Sequence, residues 1–86
     1  MLSKEKLLKV LDADLSVCRG AAAQLSPSDA EGEKQNILEF NTLLQHQQWA
    51  DRVGDNQDEL ERIVSSLENN GFLRGYQHWR ERSQLV

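Results

Sequence analysis

The stretch Leu8-Lys-Val-Leu-Asp-Ala-Asp-Leu-Ser-Val-Cys-Arg-Gly-Ala-Ala-Ala-Gln-Leu25 carries the strongest periodic signal in this sequence. Its apolar residues alternate spacings of three and four, as the seam of a heptad repeat does. The seam consists of Leu8, Leu11, Leu15, Cys18, Ala22 and Leu25. This pattern predicts a helix over residues 3–25. A second set, Leu7, Val10, Val17 and Ala21, widens the apolar face on one side, which favours a helical bundle over a two-stranded coiled coil.

The residues after this helix predict a turn followed by a second long helix over residues 27–53. Ser26 can cap that helix, Pro27 suits its first position, and Asp29 interacts favourably with the helix dipole. Ser28 with Glu31 forms an alternative capping box. The expected apolar face comprises Ile37, Phe40 and Leu44 with their neighbours Leu38 and Leu43, and Gly32 is the weak point of the helix. Because the connection is short, the two helices should form an antiparallel hairpin.

A third helix is predicted over residues 56–70, capped by Asp55 or Asn56. Its apolar face is Leu60, Ile63, Val64 and Leu67. The tail is ambiguous, because Phe72, Tyr76 and Trp79 share a helical face whereas Phe72, Arg74, Tyr76 and His78 would alternate in a strand. We favour a short helix over residues 76–83. The sequence thus predicts one all-α domain over residues 1–86, a small three- to four-helix bundle built on a long antiparallel helical hairpin.

The composition favours a cytoplasmic protein with much polar surface. The mean hydropathy is -0.65 and the net charge is -4. Residues 27–70 carry three basic and ten acidic groups, and residues 71–86 carry three basic and one acidic group, so the middle is acidic and the tail basic. A single cysteine cannot form an internal disulfide, and no apolar run reaches the roughly 18 residues of a membrane span.

Residues Gln48 to Gly71 resemble a helix-turn-helix unit. Ala50 occupies the position of the small residue at the helix crossing, Val53 and Gly54 form the turn, and Leu60 with Ile63 lies on the second helix. The resemblance implies a small DNA-binding regulator of phage or plasmid type, acting as a dimer. The charge opposes this function, because the second helix would present mainly acidic residues to the phosphates.

Catalytic or metal-binding patterns do not stand out. The two histidines, His46 and His78, have no second ligand at zinc spacing, and Cys18 lies on the apolar seam. We therefore expect a protein that is not an enzyme and uses no cofactor or metal ion.

The sequence favours a protein–protein interaction module, such as an adaptor, accessory protein or inhibitor, which can be a homodimer along the seam of the first helix. Arginines interleaved with aromatic residues in the tail resemble a single-strand nucleic-acid contact, but docking on the acidic middle of the same or a second chain is the preferred interpretation. The candidate interface residues are Leu8, Leu11, Leu15, Trp49, Phe72, Arg74, Tyr76, Trp79, Arg80 and Arg82.

Overall fold

The computed structural model describes residues 1–70 and 78–85, and this part of the chain contains four helices. They are α1 (Lys4–Ala23), α2 (Ala30–Val53), α3 (Gln57–Asn70) and α4 (Trp79–Arg82). The first two helices pack along each other, which confirms the predicted all-α class and the long hairpin. The third helix has 14 residues against 24 in α2, so it is too short to cover the whole hairpin. None of the four helices is long and apolar enough to span a membrane.

The second helix begins three residues later than the sequence predicts. Its N-cap is Asp29, whose Oδ1 accepts a hydrogen bond from the backbone N–H of Gly32 at 2.9 Å. The predicted caps at Ser26 and Ser28 are wrong, because their hydroxyls bond to each other at 2.9 Å inside the turn. The backbone N–H of Asp29 also bonds to the Ser26 carbonyl at 3.0 Å. This turn includes Pro27 and brings the aspartate to the helix end.

The buried face of α1 is shifted from the predicted seam towards the side on which α4 packs. Its members are Leu7, Val10, Leu11, Asp14, Leu15 and Cys18. Three seam residues are therefore core residues as expected, whereas Leu8 is half-buried and Ala22 is exposed. The shift follows because α1 contacts both α2 and α4, so the centre of its buried face lies between these two neighbours.

The buried face of α2 is displaced by one residue from the predicted one. Its members are Asn36, Glu39, Leu43, His46 and Ala50. The prediction was wrong for Ile37 and Leu38, which are 51% and 65% exposed. Phe40 and Leu44 are half-buried at the edge of the core. A displacement of one residue turns a helix by about 100°, and here it places polar side chains inside and apolar ones outside.

The corner between α2 and α3 has the predicted components. Gly54 has φ 63° and ψ -145°, a conformation that glycine alone adopts readily. Asn56 caps α3, because its Oδ1 accepts from the backbone N–H of Glu59 at 3.2 Å. The predicted core residues of this corner, Ala50, Leu60 and Ile63, are completely buried.

The two ends of the chain meet at the open end of the hairpin. Leu2 and Gln84 form an isolated antiparallel bridge. The flanking backbone bonds are Ser3 N–H to Ser83 O and Leu85 N–H to Met1 O, both 2.9 Å long. Gln57 on α3 joins this contact, since its side-chain amide donates to Leu2 O at 2.8 Å and accepts from Leu2 N–H at 2.9 Å. These hydrogen bonds therefore connect the segment before α1 with the start of α3 and with residues 83–85.

Candidate functional site

The arginines of the described tail contact acidic residues of the same chain. Arg80 binds Glu61 and Glu68 on α3, and its Nε lies 3.2 Å from Glu68 Oε1. The hydrogen bond to Glu61, together with that to Glu68, raises the pKa of Arg80 above its ordinary value. Arg82 donates to Asp14 Oδ1 of α1 at 3.2 Å. Arg80 thus pairs with the acidic middle of its own chain, as one prediction from the sequence had it, whereas Arg82 pairs with Asp14 outside that region.

Trp79 is a core residue. It is 2% exposed, and its indole Nε1 donates to Asp14 Oδ2 at 2.9 Å. Asp14 is itself buried on α1, and its carboxylate accepts hydrogen bonds from both Trp79 and Arg82. The predicted role of Trp79 as an interface residue has no exposed surface to act through.

Trp49 lies at the junction of α2 and α3 and is half-buried. Its Nε1 donates to Glu59 Oε2 at 3.3 Å, and its ring centroid lies 6.0 Å from that of His46. The imidazole of His46 is hydrogen-bonded at both nitrogens, with Nδ1 2.6 Å from Thr42 O and Nε2 2.8 Å from Ser66 Oγ. Because a carbonyl only accepts, Nδ1 carries the proton, and in the neutral ring Nε2 accepts from the serine hydroxyl. His46 thus joins the two helices.

The thiol of Cys18, a potential nucleophile, lies in the packed interior of the hairpin. Cys18 is buried, and its Sγ donates to Asn36 O at 3.4 Å. The Asn36 side-chain amide donates back to Cys18 O at 2.9 Å, so this pair crosses the hairpin in both directions. Residues 1–70 and 78–85 contain no group of three or more His, Cys, Asp or Glu residues that could hold a metal ion.

The exposed surface of α3 is predominantly acidic. Arg62 pairs with Glu59 at 2.9 Å on the same helix, and Arg80 is occupied by Glu61 and Glu68. Each of these arginines is matched by at least one carboxylate, and Asp58 adds a further negative charge. The contact from the tail therefore does not convert this surface into one that attracts phosphates.

One long side of the hairpin has no described helix packed against it. We call it the outer face and define it by Leu8, Asp12 and Arg19 of α1 and by Ile37, Phe40 and Leu44 of α2. These residues recur at spacings of three, four and seven, which places them on one side of each helix. The other side of the hairpin carries the contacts to α3 and α4, such as His46 to Ser66 and Trp79 to Asp14.

The outer face has an apolar centre and a charged margin. At the open end of the hairpin it continues into a groove lined only by α1 and α2 residues; these are Glu5, Leu8, Lys9, Asp12, Gln47, Gln48 and Asp51. Towards the turn, the Arg19 guanidinium lies over the Phe40 ring, 5.3 Å from its centroid. Near the turn, Ile37 lines a second groove with Ala22 and Leu25. Apolar side chains flanked by polar ones are the usual composition of a protein interface.

The predicted interface residues do not converge on one surface. Leu11 and Leu15 are buried in the core, and Leu8 alone of the three α1 residues reaches the outer face. Trp49 lies on the α3 side, while Arg80 and Arg82 bind carboxylates of their own chain. Phe72, Arg74 and Tyr76 lie outside the described residues, as does the choice between helix and strand over residues 72–77.

Comparison with protein-family models, with curated proteins and with solved structures finds no match for this chain. Sequence reasoning missed the outer face because it assigned Ile37, Phe40 and Leu44 to the core. A signal was present, since Asn36, Glu39, Leu43, His46 and Ala50 also alternate spacings of three and four.

Proposed function

We propose that this protein is a non-enzymatic protein–protein interaction module that binds through the outer face of its helical hairpin. The observation that carries the proposal is the displaced face of α2. Ile37, Phe40 and Leu44 remain at the surface, although polar residues of the same helix occupy the interior. The exposed half of Ile37 and the accessible parts of the half-buried Phe40 and Leu44 form an apolar strip that another protein can cover.

The expected energetic gain is appreciable. Full burial of a large aliphatic side chain is worth about 1.5–3 kcal/mol, and half of the Ile37 surface is still accessible to a partner. Phe40 and Leu44 add accessible apolar surface beside it. The neighbouring charges, including Asp12 and Arg19, would form the margin of such an interface and select among partners.

A capture experiment with two adjacent substitutions tests this proposal. The tagged protein is used to retain partners from its native lysate, with and without nuclease, and the retained proteins are identified by mass spectrometry. Ile37→Asp places a charge on the outer face, whereas Leu38→Asp places the same charge one residue away on another side of the helix. Both positions are exposed, so both variants should keep the helical circular dichroism of the parent.

We expect a protein partner that survives nuclease treatment, is lost with Ile37→Asp and is retained with Leu38→Asp. If both variants retain the partner equally, the outer face is not the binding surface. If nuclease removes the retained material, the helix-turn-helix function becomes the better explanation. The acidic surface of α3 offers no support for that second function, because it opposes contact with phosphates.

A further inference from the structure

We propose that the occupant of the outer face is a second copy of this chain, and that two hairpins pack face to face as an antiparallel four-helix bundle. This inference rests on the proposed function and adds the identity of the partner. Three observations bear on it: the placement of two opposite charges on α1, the α2 residues at the level of the same axis, and the size of the face, which limits how tightly two copies can bind.

The first observation concerns Asp12 and Arg19. Both are exposed on the outer face of α1, and neither forms an ion pair with any residue in the described part of the chain. The Arg19 guanidinium lies over the Phe40 ring of its own chain, and this contact leaves its charge without a carboxylate partner. Asp12 and Arg19 are seven residues apart, or about 10 Å along the helix, which is too far for a pair within one molecule. A twofold axis that crosses α1 midway between them brings each Arg19 opposite the Asp12 of the other copy.

The second observation concerns α2 at the level of the same axis. The pair of hydrogen bonds between Cys18 and Asn36 sets the register of the hairpin. In this register the point midway between Asp12 and Arg19 lies beside the point midway between Ile37 and Phe40. The same axis therefore places Ile37 of each copy opposite Phe40 of the other. Charge pairing on α1 and apolar contact on α2 thus require one and the same axis.

The third observation is the size of the contact. With this axis the two hairpins overlap over about 16 residues of each helix, or about 24 Å. The narrow dimension of the molecule is 19 Å, so the overlapping faces have a projected area of about 450 Å² for each copy. A contact of this extent is small beside the standard stable interface, which buries roughly 800 Å² per partner, so we expect a weak and reversible dimer.

A charge-exchange experiment tests the inference on the purified full chain. Sedimentation velocity over a concentration series from about 1 to 500 μM should show a reversible monomer–dimer equilibrium. Arg19→Asp and Asp12→Arg should each raise the dimer dissociation constant by about tenfold, because each creates two like-charge contacts across the axis. An equimolar mixture of the two variants should restore parental affinity, since both contacts of the mixed dimer again join opposite charges.

Apolar substitutions provide a second readout on the same instrument. Ile37→Asp should leave a monomer over the whole concentration range, whereas Leu38→Asp should dimerise like the parent. Urea midpoints and circular dichroism of all variants separate loss of dimer from loss of fold.

A parent that remains monomeric at every concentration overturns the second-copy proposal. So does a dimer in which mixing the two charge variants restores nothing. Neither result overturns the proposed function, because a different protein that is lost from the lysate with Ile37→Asp would then be the occupant of the outer face. If the parent dimerises and the mixture recovers affinity, the second copy is identified whatever the lysate contains.

Discussion

Asp14 shows how a single polar residue can connect distant parts of the chain. It lies on the buried face of α1 and accepts hydrogen bonds from Trp79 Nε1 and Arg82. A carboxylate is rarely buried without such partners, because leaving water costs it several kcal/mol. Its position in an otherwise apolar helix face is therefore explained by the tail that returns to it.

Two substitutions of Asp14 distinguish the contribution of its hydrogen bond with Trp79 from that of its ion pair with Arg82. Asp14→Ala removes the acceptor of a buried indole N–H and should lower the free energy of unfolding by about 1–3 kcal/mol. Asp14→Asn keeps an oxygen acceptor for Trp79 but loses the charge that faces Arg82, so its effect should be smaller. Urea denaturation followed by circular dichroism measures both. Equal losses for the two variants would mean that the charge, and not the indole bond, determines the contribution of Asp14.

At the scale of elements, the ends of the helices are decided by local geometry. The carboxylate of Asp29 accepts from the backbone N–H of Gly32 and lies so close to it that an added Cβ at residue 32 would require the carboxylate to shift. The glycine that weakens the helix by its propensity is thus part of its cap.

Capping of α2 can be tested with one pair of variants. Asp29→Ala should cost about 1 kcal/mol, because the N–H of Gly32 loses its partner. Ser26→Ala is the matched control and should change stability by less than about 0.5 kcal/mol, since its hydroxyl bonds only within an exposed turn. Urea denaturation measures both losses of stability. A larger loss for Ser26→Ala than for Asp29→Ala would contradict the cap at Asp29.

Substitution by alanine should have opposite effects on stability at Gly54 and at Gly20. Gly54→Ala should destabilise the protein by about 1–2 kcal/mol, because φ 63° is unfavourable for a residue with a Cβ. Gly20 lies inside α1 with no atom within 4 Å of an added Cβ. Gly20→Ala should therefore stabilise by about 0.5–1 kcal/mol. Thermal unfolding measures both changes, and a stabilising Gly54→Ala would contradict the geometry of the corner.

At the scale of the whole molecule, residues 1–3 and residues 83–85 are joined by a backbone bridge and hydrogen bonds. The short helix α4 contacts both α1 and α3, and the backbone bridge beside it closes the open end of the hairpin. With only 86 residues, the chain has a small total stability, so each of these contacts is a substantial part of it.

The contribution of the tail can be measured through its buried aromatic residue. Trp79→Ala should lower the free energy of unfolding by about 3–5 kcal/mol, which for a domain of this size approaches complete unfolding. Leu85→Ala is the control, because the Leu85 side chain is 52% exposed and its backbone bond to Met1 remains. It should change stability by less than about 0.5 kcal/mol. Fluorescence of Trp49 and circular dichroism should follow one transition; a helical hairpin that survives Trp79→Ala unchanged would show that the tail is independent of the core.

The sequence by itself determined the helical class, the hairpin and the corner at Gly54. These features depend on local properties: heptad spacing, a turn with a helix-capping residue, and a glycine where the backbone needs positive φ. Helix periodicity is read along one chain, so the seam through Leu11, Leu15 and Cys18 was found correctly.

Only the tertiary structure decided which side of α2 faces inward. The apolar residues Ile37 and Leu44 and the mixed set through Asn36, Leu43 and His46 both have helical spacing, and no local rule chooses between them. The choice depends on partners distant in sequence, because Asn36 is hydrogen-bonded to Cys18 and His46 is hydrogen-bonded to Ser66. Once those polar groups are bonded inside, the apolar stripe must remain outside. The candidate interface is therefore a consequence of how the helices pack.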